Sequence, residues 1–275
     1  MLECVVNLSE GRSGALLDEL AAAAGDALAD RHADPWHNRS VWTLVGDGVD
    51  EAARALTSAA LDRLDLARHE GAHPRLGVVD VVPFVPFEPG HLGPLDLAEA
   101  LAARRAFAEW AARTHGLPCF YYGPERTLPD VRRRAFRGLD PDVGEPHPHP
   151  RWGATCVGAR QVLVAYNLWL AEPDVELARS LARELRSPAV RALGLELGGR
   201  AQVSCNLVAP ELVGPDAVFD AVRARTRIER AELVGLVPAG LLERIPRARH
   251  AELDLGEDRT IEARLARRRR GGTCG

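Results

Sequence analysis

The sequence predicts an α/β (α+β) protein made of two subdomains, each a sheet with helices on its outer side. Two observations predict this class. Segments with helical spacing of apolar residues alternate with short β-branched strands, and a stretch rich in Pro, Gly, Asp and Arg over residues 123–153 divides that alternation in two. A chain of 275 residues is long enough for two small domains whose cores need neither disulfide nor metal.

The first subdomain is predicted over residues 1–160. Ser13 is expected to cap a helix with an apolar line from Leu16 to Leu28, and Asp50 to cap a second helix. A third helix follows the apolar line from Leu97 to Trp110. Strands are predicted over 41–45, 76–85 and 119–122. Pro83 indicates that the second of these strands ends there or lies at a sheet edge.

Residues 123–153 lack clear periodicity, and their alternating prolines favour an extended path, so they are predicted to be a functional loop or a linker. The second subdomain is predicted over residues 161–262. Its elements follow the order β-α-β-β-α-β, the split βαβ pattern of ferredoxin-like folds. The Arg-rich tail over residues 263–275 is predicted to be disordered.

Composition excludes several classes of function. The net charge of −4 provides no overall field for nucleic acid or a membrane. All 35 basic residues are arginine, which excludes Schiff-base and P-loop lysine chemistry. The 5 scattered cysteines predict buried thiols in a reducing cytoplasm. No stretch has the length of a membrane span or the pattern of a signal peptide.

Four polar clusters lie between the predicted elements. The first covers residues 7–11, where Ser9 could simply cap a helix, and the second covers residues 32–39, which resemble a turn. The third runs from Arg68 to Asp80. Gly71 and Pro74 break any helix there, so its two histidines are not a zincin-type pair, but a loop histidine suits acid–base chemistry. Asp80 needs a partner inside an apolar strand, and Arg75 or a histidine would serve.

The fourth cluster contains His147 and His149 within the proline-rich stretch. Two histidines at this spacing suggest a metal, but no cysteine or carboxylate pattern completes a zinc site. We therefore predict no metal. A small metal hydrolase that uses His69, His73, His147 and His149 remains an alternative at this stage.

Six stretches together resemble the glutamate formimidoyltransferase family, the formiminotransferase domain of histidine breakdown. They are ECVVNLSEGR (3–12), HADPWHNRSVWTLVG (32–46), RHEGAHPRLGVVDVVPFVP (68–86), RWGATCVGAR (151–160), AQVSCNL (201–207) and ELVGLVP (232–238). The resemblance covers residues 1–245. It implies two α/β subdomains whose sheets face each other across a folate tunnel.

The resemblance also implies an activity and its residues. The formimino group of N-formimino-L-glutamate passes to N5 of tetrahydrofolate, a co-substrate, which gives 5-formimino-tetrahydrofolate and L-glutamate. His73 of the HPRxG motif is the implied catalytic residue. The implied folate-binding residues form one continuous segment: Gly144, Glu145, Pro146, His147, Pro148, His149, Pro150, Arg151, Trp152 and Gly153.

Five further residues are expected to bind substrate: Asn7, Asn38, Arg39, Arg75 and Asp80. The two guanidinium groups match carboxylates in a bidentate way, and Asp80 is expected either to orient His73 or to bind the amidine. Trp152 could pack against a flat ring or fill core.

The expected partners are small-molecule substrates, not nucleic acid or a membrane, in a cytoplasmic homodimer. Because the chain ends before a fused cyclodeaminase domain would begin, a separate cyclodeaminase is expected. His32, His147 and His149 depart from the pattern of vertebrate members, which leaves the donor open. Two alternatives therefore stand beside formimino transfer: formyl transfer between 5-formyltetrahydrofolate and glutamate, and a folate-binding protein without turnover.

Overall fold

The computed structural model describes residues 1–71 and 75–271 of the chain. It divides into two compact units: one contains Met1–Phe87 and Leu95–Arg160, and the other contains Glu88–Pro94 and the chain from Gln161 onward. The predicted α/β (α+β) class is confirmed, since each unit is a sheet packed against helices. No helix in the described part of the chain has the length and apolar character needed to cross a bilayer.

The first unit holds a six-stranded sheet in the order β2-β3-β1-β4-β6-β5. Its strands are β1 (Leu2–Leu8), β2 (Leu28–Asp34), β3 (Arg39–Val45), β4 (Val79–Pro86), β5 (Cys119–Tyr122) and β6 (Thr155–Ala159). Strands β1 to β4 are antiparallel neighbours in a ferredoxin-like order, and β6 and β5 extend the sheet in parallel from β4.

Helices cover both faces of this sheet. Helices α1 (Gly14–Ala24), α2 (Val49–Arg63) and α3 (Ala98–His115) form the larger core with the β1 side chains Cys4 and Val6. Helix α4 (Leu128–Arg134) packs Val131 with Phe120 and Tyr122 in a separate smaller core. On β5, Cys119 belongs to the larger core whereas Phe120 belongs to the smaller one, because successive side chains of a strand point to opposite faces.

Several local predictions for the first unit are wrong. Strand β2 lies where the end of a helix and a turn were predicted. Helix α4 lies where an irregular loop was predicted. Helix α2 begins after Gly48, so Asp50 lies inside its first turn and does not cap it. Residues 155–159, near the predicted join between subdomains, form β6. Pro83 lies inside the central strand β4, where it pairs with Gly158 of β6 and is left out of the ladder to β1, so the predicted strand end or sheet edge is wrong.

The second unit confirms the predicted β-α-β-β-α-β order. Its sheet contains β7 (Val164–Leu170), β8 (Val190–Leu197), β9 (Arg200–Leu207) and β10 (Ile228–Val234), in the order β10-β7-β9-β8. Helices α5 (Val175–Leu185) and α6 (Pro215–Arg223) pack on one face of it. The AQVSCNL stretch thus lies on the central strand β9.

The C-terminal part of this unit differs from the predicted disordered tail. A short helix α7 (Ala239–Leu242) is followed by α8 (Ile261–Gly271), so the chain is helical well into the predicted tail. Ile261 is buried, and the Glu262 carboxylate accepts backbone N–H groups of Gly90 (3.1 Å) and Ala239 (2.8 Å), which fixes the start of α8. Arg, Ala and Leu are also good helix formers. Cys4, Cys119, Cys156 and Cys205 are buried free thiols, as predicted, and Cys274 lies outside the described residues.

Candidate functional site

Three adjacent strands of the first sheet bring polar side chains to one place. Asn7 lies near the end of β1, Arg39 begins β3, and Asp80 lies near the start of β4. Asn7 pairs across the sheet with Val41, two residues after Arg39, and with Val81, the residue after Asp80. The Arg39 guanidinium donates to Oδ1 of Asn7. The antiparallel register therefore brings together three of the residues that the sequence predicts to bind substrate.

Asp80 is the anionic centre of this group. It is only 2% exposed, its Oδ1 accepts the Leu76 N–H at 2.8 Å, and its Oδ2 lies 2.5 Å from the Arg132 guanidinium. Arg39 and Arg75 also interact electrostatically with this carboxylate. Three guanidinium groups facing one carboxylate leave an excess of positive charge, which suits an anionic ligand.

Burial works against the charge on two of these arginines. It lowers the pKa of Arg39 to about 10, although the nearby Asp80 favours the charged form. Burial also lowers the pKa of Arg75, again opposed by Asp80. With a pKa of about 10 Arg39 is still cationic near neutrality, so its charge is available to a bound carboxylate.

Asn38 connects the turn between β2 and β3 to two other segments. Its Oδ1 accepts the Gly11 N–H at 3.0 Å, and its Nδ2 donates to the Glu70 carbonyl at 2.9 Å. Its Nδ2 also lies 3.5 Å from Nδ1 of His69. Burial, reinforced by the positive charge of Arg75, lowers the pKa of His69 to about 4, so this imidazole is neutral at physiological pH.

His73, the predicted catalytic residue, lies outside the described residues, as do Ala72 and Pro74. The residues on either side are described. A Cβ on Gly71 would lie 2.4 Å from the His37 carbonyl oxygen, and the Arg75 guanidinium donates to the same oxygen at 3.4 Å. Both ends of the segment that carries His73 therefore meet the β2–β3 turn.

The end of the predicted folate-binding segment packs against the start of β4. His149 and Gly153 exchange backbone hydrogen bonds, each of 2.8 Å, and the Val78 N–H donates to the Trp152 carbonyl at 3.0 Å. Gly153 has a φ of 73° and leaves no room for a side chain, because a Cβ there would lie 2.1 Å from the Leu76 carbonyl oxygen. The turn thus ties residues 149–153 to the strand that carries Asp80.

His149 and Trp152 contact each other within this turn. Their rings stack at 4.1 Å with an angle of 11°, and Nδ1 of His149 accepts the N–H groups of Arg151 (3.2 Å) and Trp152 (3.1 Å). Burial lowers the pKa of His149, with a smaller contribution from Arg151. One face of the Trp152 ring is therefore already covered by protein. The first half of the segment, residues 144–148, is exposed.

Sequence reasoning missed two residues of this group, and the first is Arg132. It lies on α4, inside a stretch read as irregular. The signal for that helix was present: Thr127 caps it by accepting the Asp130 N–H, and Pro129 lies in its first turn. The other is Ser9, whose Oγ donates to the Gly77 carbonyl at 2.9 Å, whereas Ser13 caps α1. The alternative prediction, that Ser9 caps a helix, is therefore wrong.

Over residues 1–71 and 75–271, no three His, Cys, Asp or Glu side chains are grouped so that they could hold a metal ion. Nδ1 of His149 already accepts two backbone N–H groups, and Nδ1 of His69 faces the Asn38 amide.

Comparison with known proteins gives this geometry its context. Residues 1–160 match the family described as the formiminotransferase domain, N-terminal subdomain. The chain belongs to the formiminotransferase family. It is 34% identical over 275 residues to a glutamate formimidoyltransferase of Streptococcus pyogenes serotype M1, covering 88% of this chain and 90% of that protein. A glutamate formimidoyltransferase of Thermoplasma acidophilum is 30% identical, covering 86% and 88%.

Longer relatives share the same region. The formimidoyltransferase-cyclodeaminase of Sus scrofa is 32% identical over 277 residues, which cover 86% of this chain and 50% of that protein. The chain thus spans about half the length of this relative. The family expected from the six sequence stretches is confirmed, and the relatives are named as transferases of the formimidoyl group.

Proposed function

We propose that this formiminotransferase family member transfers the formimino group of N-formimino-L-glutamate to N5 of tetrahydrofolate and releases L-glutamate. The observation that carries the proposal is the similarity to the Streptococcus pyogenes glutamate formimidoyltransferase, which covers 88% of this chain and 90% of that protein. A match over 88% of the chain includes most of both units.

The charge of the site fits the donor. Formiminoglutamate has two carboxylates, and tetrahydrofolate ends in a glutamate with two more. Arg132 pairs with the buried Asp80 carboxylate, and Arg39 and Arg75 interact electrostatically with the same carboxylate. These guanidinium groups attract anionic ligands, because a planar guanidinium binds a carboxylate through two parallel hydrogen bonds.

The proposed chemistry is an exchange of one nitrogen for another at the amidine carbon. N5 attacks that carbon and a tetrahedral intermediate forms. The intermediate collapses when its bond to the glutamate nitrogen breaks. N5 loses a proton and the departing nitrogen gains one, so the reaction needs a group that accepts a proton and then returns it. His73 is our candidate for this shuttle, which contributes about 10²–10⁴-fold to rate in other enzymes.

The segment Gly144–Gly153 is our candidate for folate binding. Its exposed half, residues 144–148, is free of the internal hydrogen bonds that define the turn at 149–153. We propose that this half contacts folate, whereas His149 and Trp152 hold the turn against β4. We further propose that the protein is a cytoplasmic homodimer. Light scattering of the purified protein would test the dimer. The product would then be the substrate of a cyclodeaminase, the second activity named in the longer relatives.

A paired transfer assay tests the proposal. One reaction supplies formiminoglutamate with tetrahydrofolate, and the other supplies 5-formyltetrahydrofolate with glutamate. We expect product in the first, detected as the methenyl form after acid treatment. Turnover in the second reaction alone would show that the protein transfers a formyl group instead. No turnover in either reaction would contradict the proposed activity.

A pair of histidine variants tests the shuttle. His73→Ala is expected to lower kcat by about 10²–10⁴-fold, because the proton transfers lose their carrier. His91→Ala is the matched control, since this exposed histidine lies outside the proposed folate-binding segment and the proposed proton path. Turnover of His73→Ala within a few-fold of the wild type would show that another group moves the proton.

A further inference from the structure

The Asn38 carboxamide is committed to the protein itself. Asn38 is 7% exposed, and its oxygen and nitrogen both have partners: the Gly11 N–H, the Glu70 carbonyl and Nδ1 of His69. An asparagine side chain offers one acceptor oxygen and two donor hydrogens. The Gly11 and Glu70 contacts use the oxygen and one hydrogen, and the same nitrogen lies 3.5 Å from Nδ1 of His69, so the carboxamide is directed at protein partners.

The orientation of this carboxamide is fixed by its partners. The Gly11 N–H can only donate and the Glu70 carbonyl can only accept, so the Asn38 oxygen must face Gly11 and the nitrogen must face Glu70. The backbone supports the same arrangement: Asn38 has a φ of 45°, a left-handed conformation that asparagine adopts more readily than most residues. The carboxamide therefore has one orientation that satisfies both partners.

The contacts of Asn38 join segments that are far apart in the chain. Gly11 lies 27 residues before Asn38, in the β1–α1 turn, and Glu70 lies 32 residues after it. Glu70 immediately precedes Gly71, whose close approach to the β2–β3 turn excludes any Cβ: one there would lie 3.0 Å from the Asn38 Cβ. On the far side of the 72–74 segment, Arg75 donates to the His37 carbonyl.

We propose that Asn38 is a positioning residue for the transfer reaction: it fixes the segment Glu70–Gly71, which leads to His73, to the β1–α1 turn. This inference rests on the proposed function, because it takes His73 as the proton carrier. This positioning role takes the place of direct substrate binding, which the sequence predicted for Asn38. The physical reason is that a shift of about 1 Å in a catalytic group can cost about 10²-fold in rate.

Two substitutions separate the contacts of Asn38. Asn38→Asp keeps an oxygen for the Gly11 N–H but presents a second oxygen to the Glu70 carbonyl, where a donor is required. Asn38→Gly removes both contacts and suits the left-handed backbone. We expect both to lower kcat by about 10- to 100-fold, with KM for formiminoglutamate within about two-fold of the wild type. Trp36→Ser, a change at an exposed position of the same turn, is the matched control and should leave kcat unchanged.

Hydrogen exchange gives a readout that does not need activity. The Gly11 amide should stay protected in Asn38→Asp and lose protection in Asn38→Gly, whereas the His69 amide, which donates to the Leu66 carbonyl at 3.1 Å, should exchange faster in both. If the wild type transfers no formimino group, the proposed function fails, and exchange alone decides whether Asn38 fixes this segment.

Three results would overturn the inference. A raised KM with unchanged kcat would assign Asn38 to substrate binding. A lower free energy of unfolding with normal kcat and KM for the folded fraction would make it merely structural. Unchanged exchange at His69 in both variants would show that Asn38 does not fix the segment.

Discussion

His69 gives the fold a pH dependence whose sign follows from its surroundings. Its pKa is about 4 in the folded protein, mainly because of burial, against an ordinary value of 6.5. Between these two values the unfolded chain binds more protons than the folded one, so the free energy of unfolding decreases as the pH falls from 6.5 towards 4.

His69→Gln is expected to remove this part of the acid sensitivity. The measurement is the urea midpoint at pH 7 and at pH 5, and the difference between them should be smaller in the variant. His91→Gln, at an exposed position, is the control and should keep the wild-type difference. An equal difference in all three proteins would mean that His69 titrates normally in the folded state.

Asp80 shows how far a single residue can be predicted from sequence. A carboxylate inside the run LGVVDVVPFV requires a partner, because an unpaired buried charge is costly, and the structure supplies one at 2.5 Å. The sequence suggested Arg75 or a histidine, which are near in the chain. The observed ion pair is with Arg132, 52 residues away. Spacing along a sequence carries no information about a helix that packs on the sheet from a distant segment.

Among the elements, the long or amphipathic ones were predictable and two short ones were not. Strand β2 reads LADRHAD and is an edge strand that pairs only with β3, so half-exposed charged residues replace the apolar alternation that marks a strand. Helix α4 has 7 residues, too few for a hydrophobic period. Its Thr127 cap and Pro129 were the available signs, and the surrounding Pro and Gly residues obscured them.

The 149–153 turn is the element most sensitive to a single added methyl group. Gly153→Ala would place a Cβ 2.1 Å from the Leu76 carbonyl oxygen in a backbone with φ of 73°. Gly116 has a similar φ of 64° with nothing within 4 Å of a Cβ, so Gly116→Ala isolates the cost of the backbone conformation, about 1 kcal/mol.

We expect Gly153→Ala to lower the free energy of unfolding by more than Gly116→Ala does, and to weaken tetrahydrofolate binding, which Gly116→Ala should leave intact. Chemical unfolding and a direct binding titration are the measurements. Equal destabilisation by the two substitutions would mean that the contact with the Leu76 carbonyl relaxes at no cost.

At the scale of the whole molecule, the chain passes between the two units at three points: after Phe87, after Pro94 and after Arg160. The excursion Glu88–Pro94 belongs to the second unit, although the sequence places it within the predicted first subdomain. Its Leu92 packs against the second core, and its Gly90 N–H donates to Glu262 of α8. The excursion reads EPGHLGP, a composition typical of a loop, and nothing in it indicates a hydrogen bond to a residue 172 positions further along the chain.

The Glu262 carboxylate is therefore expected to couple the excursion to the second unit. Glu262→Ala removes the acceptor for the Gly90 and Ala239 N–H groups, whereas Glu262→Gln keeps one acceptor oxygen. Hydrogen exchange should show faster exchange at both amides in Glu262→Ala and a smaller effect in Glu262→Gln. The amides of β1 and β4, in the first unit, should be unchanged in both variants. Acceleration in those strands, or none at Gly90, would show that this carboxylate does not hold the excursion to the second unit.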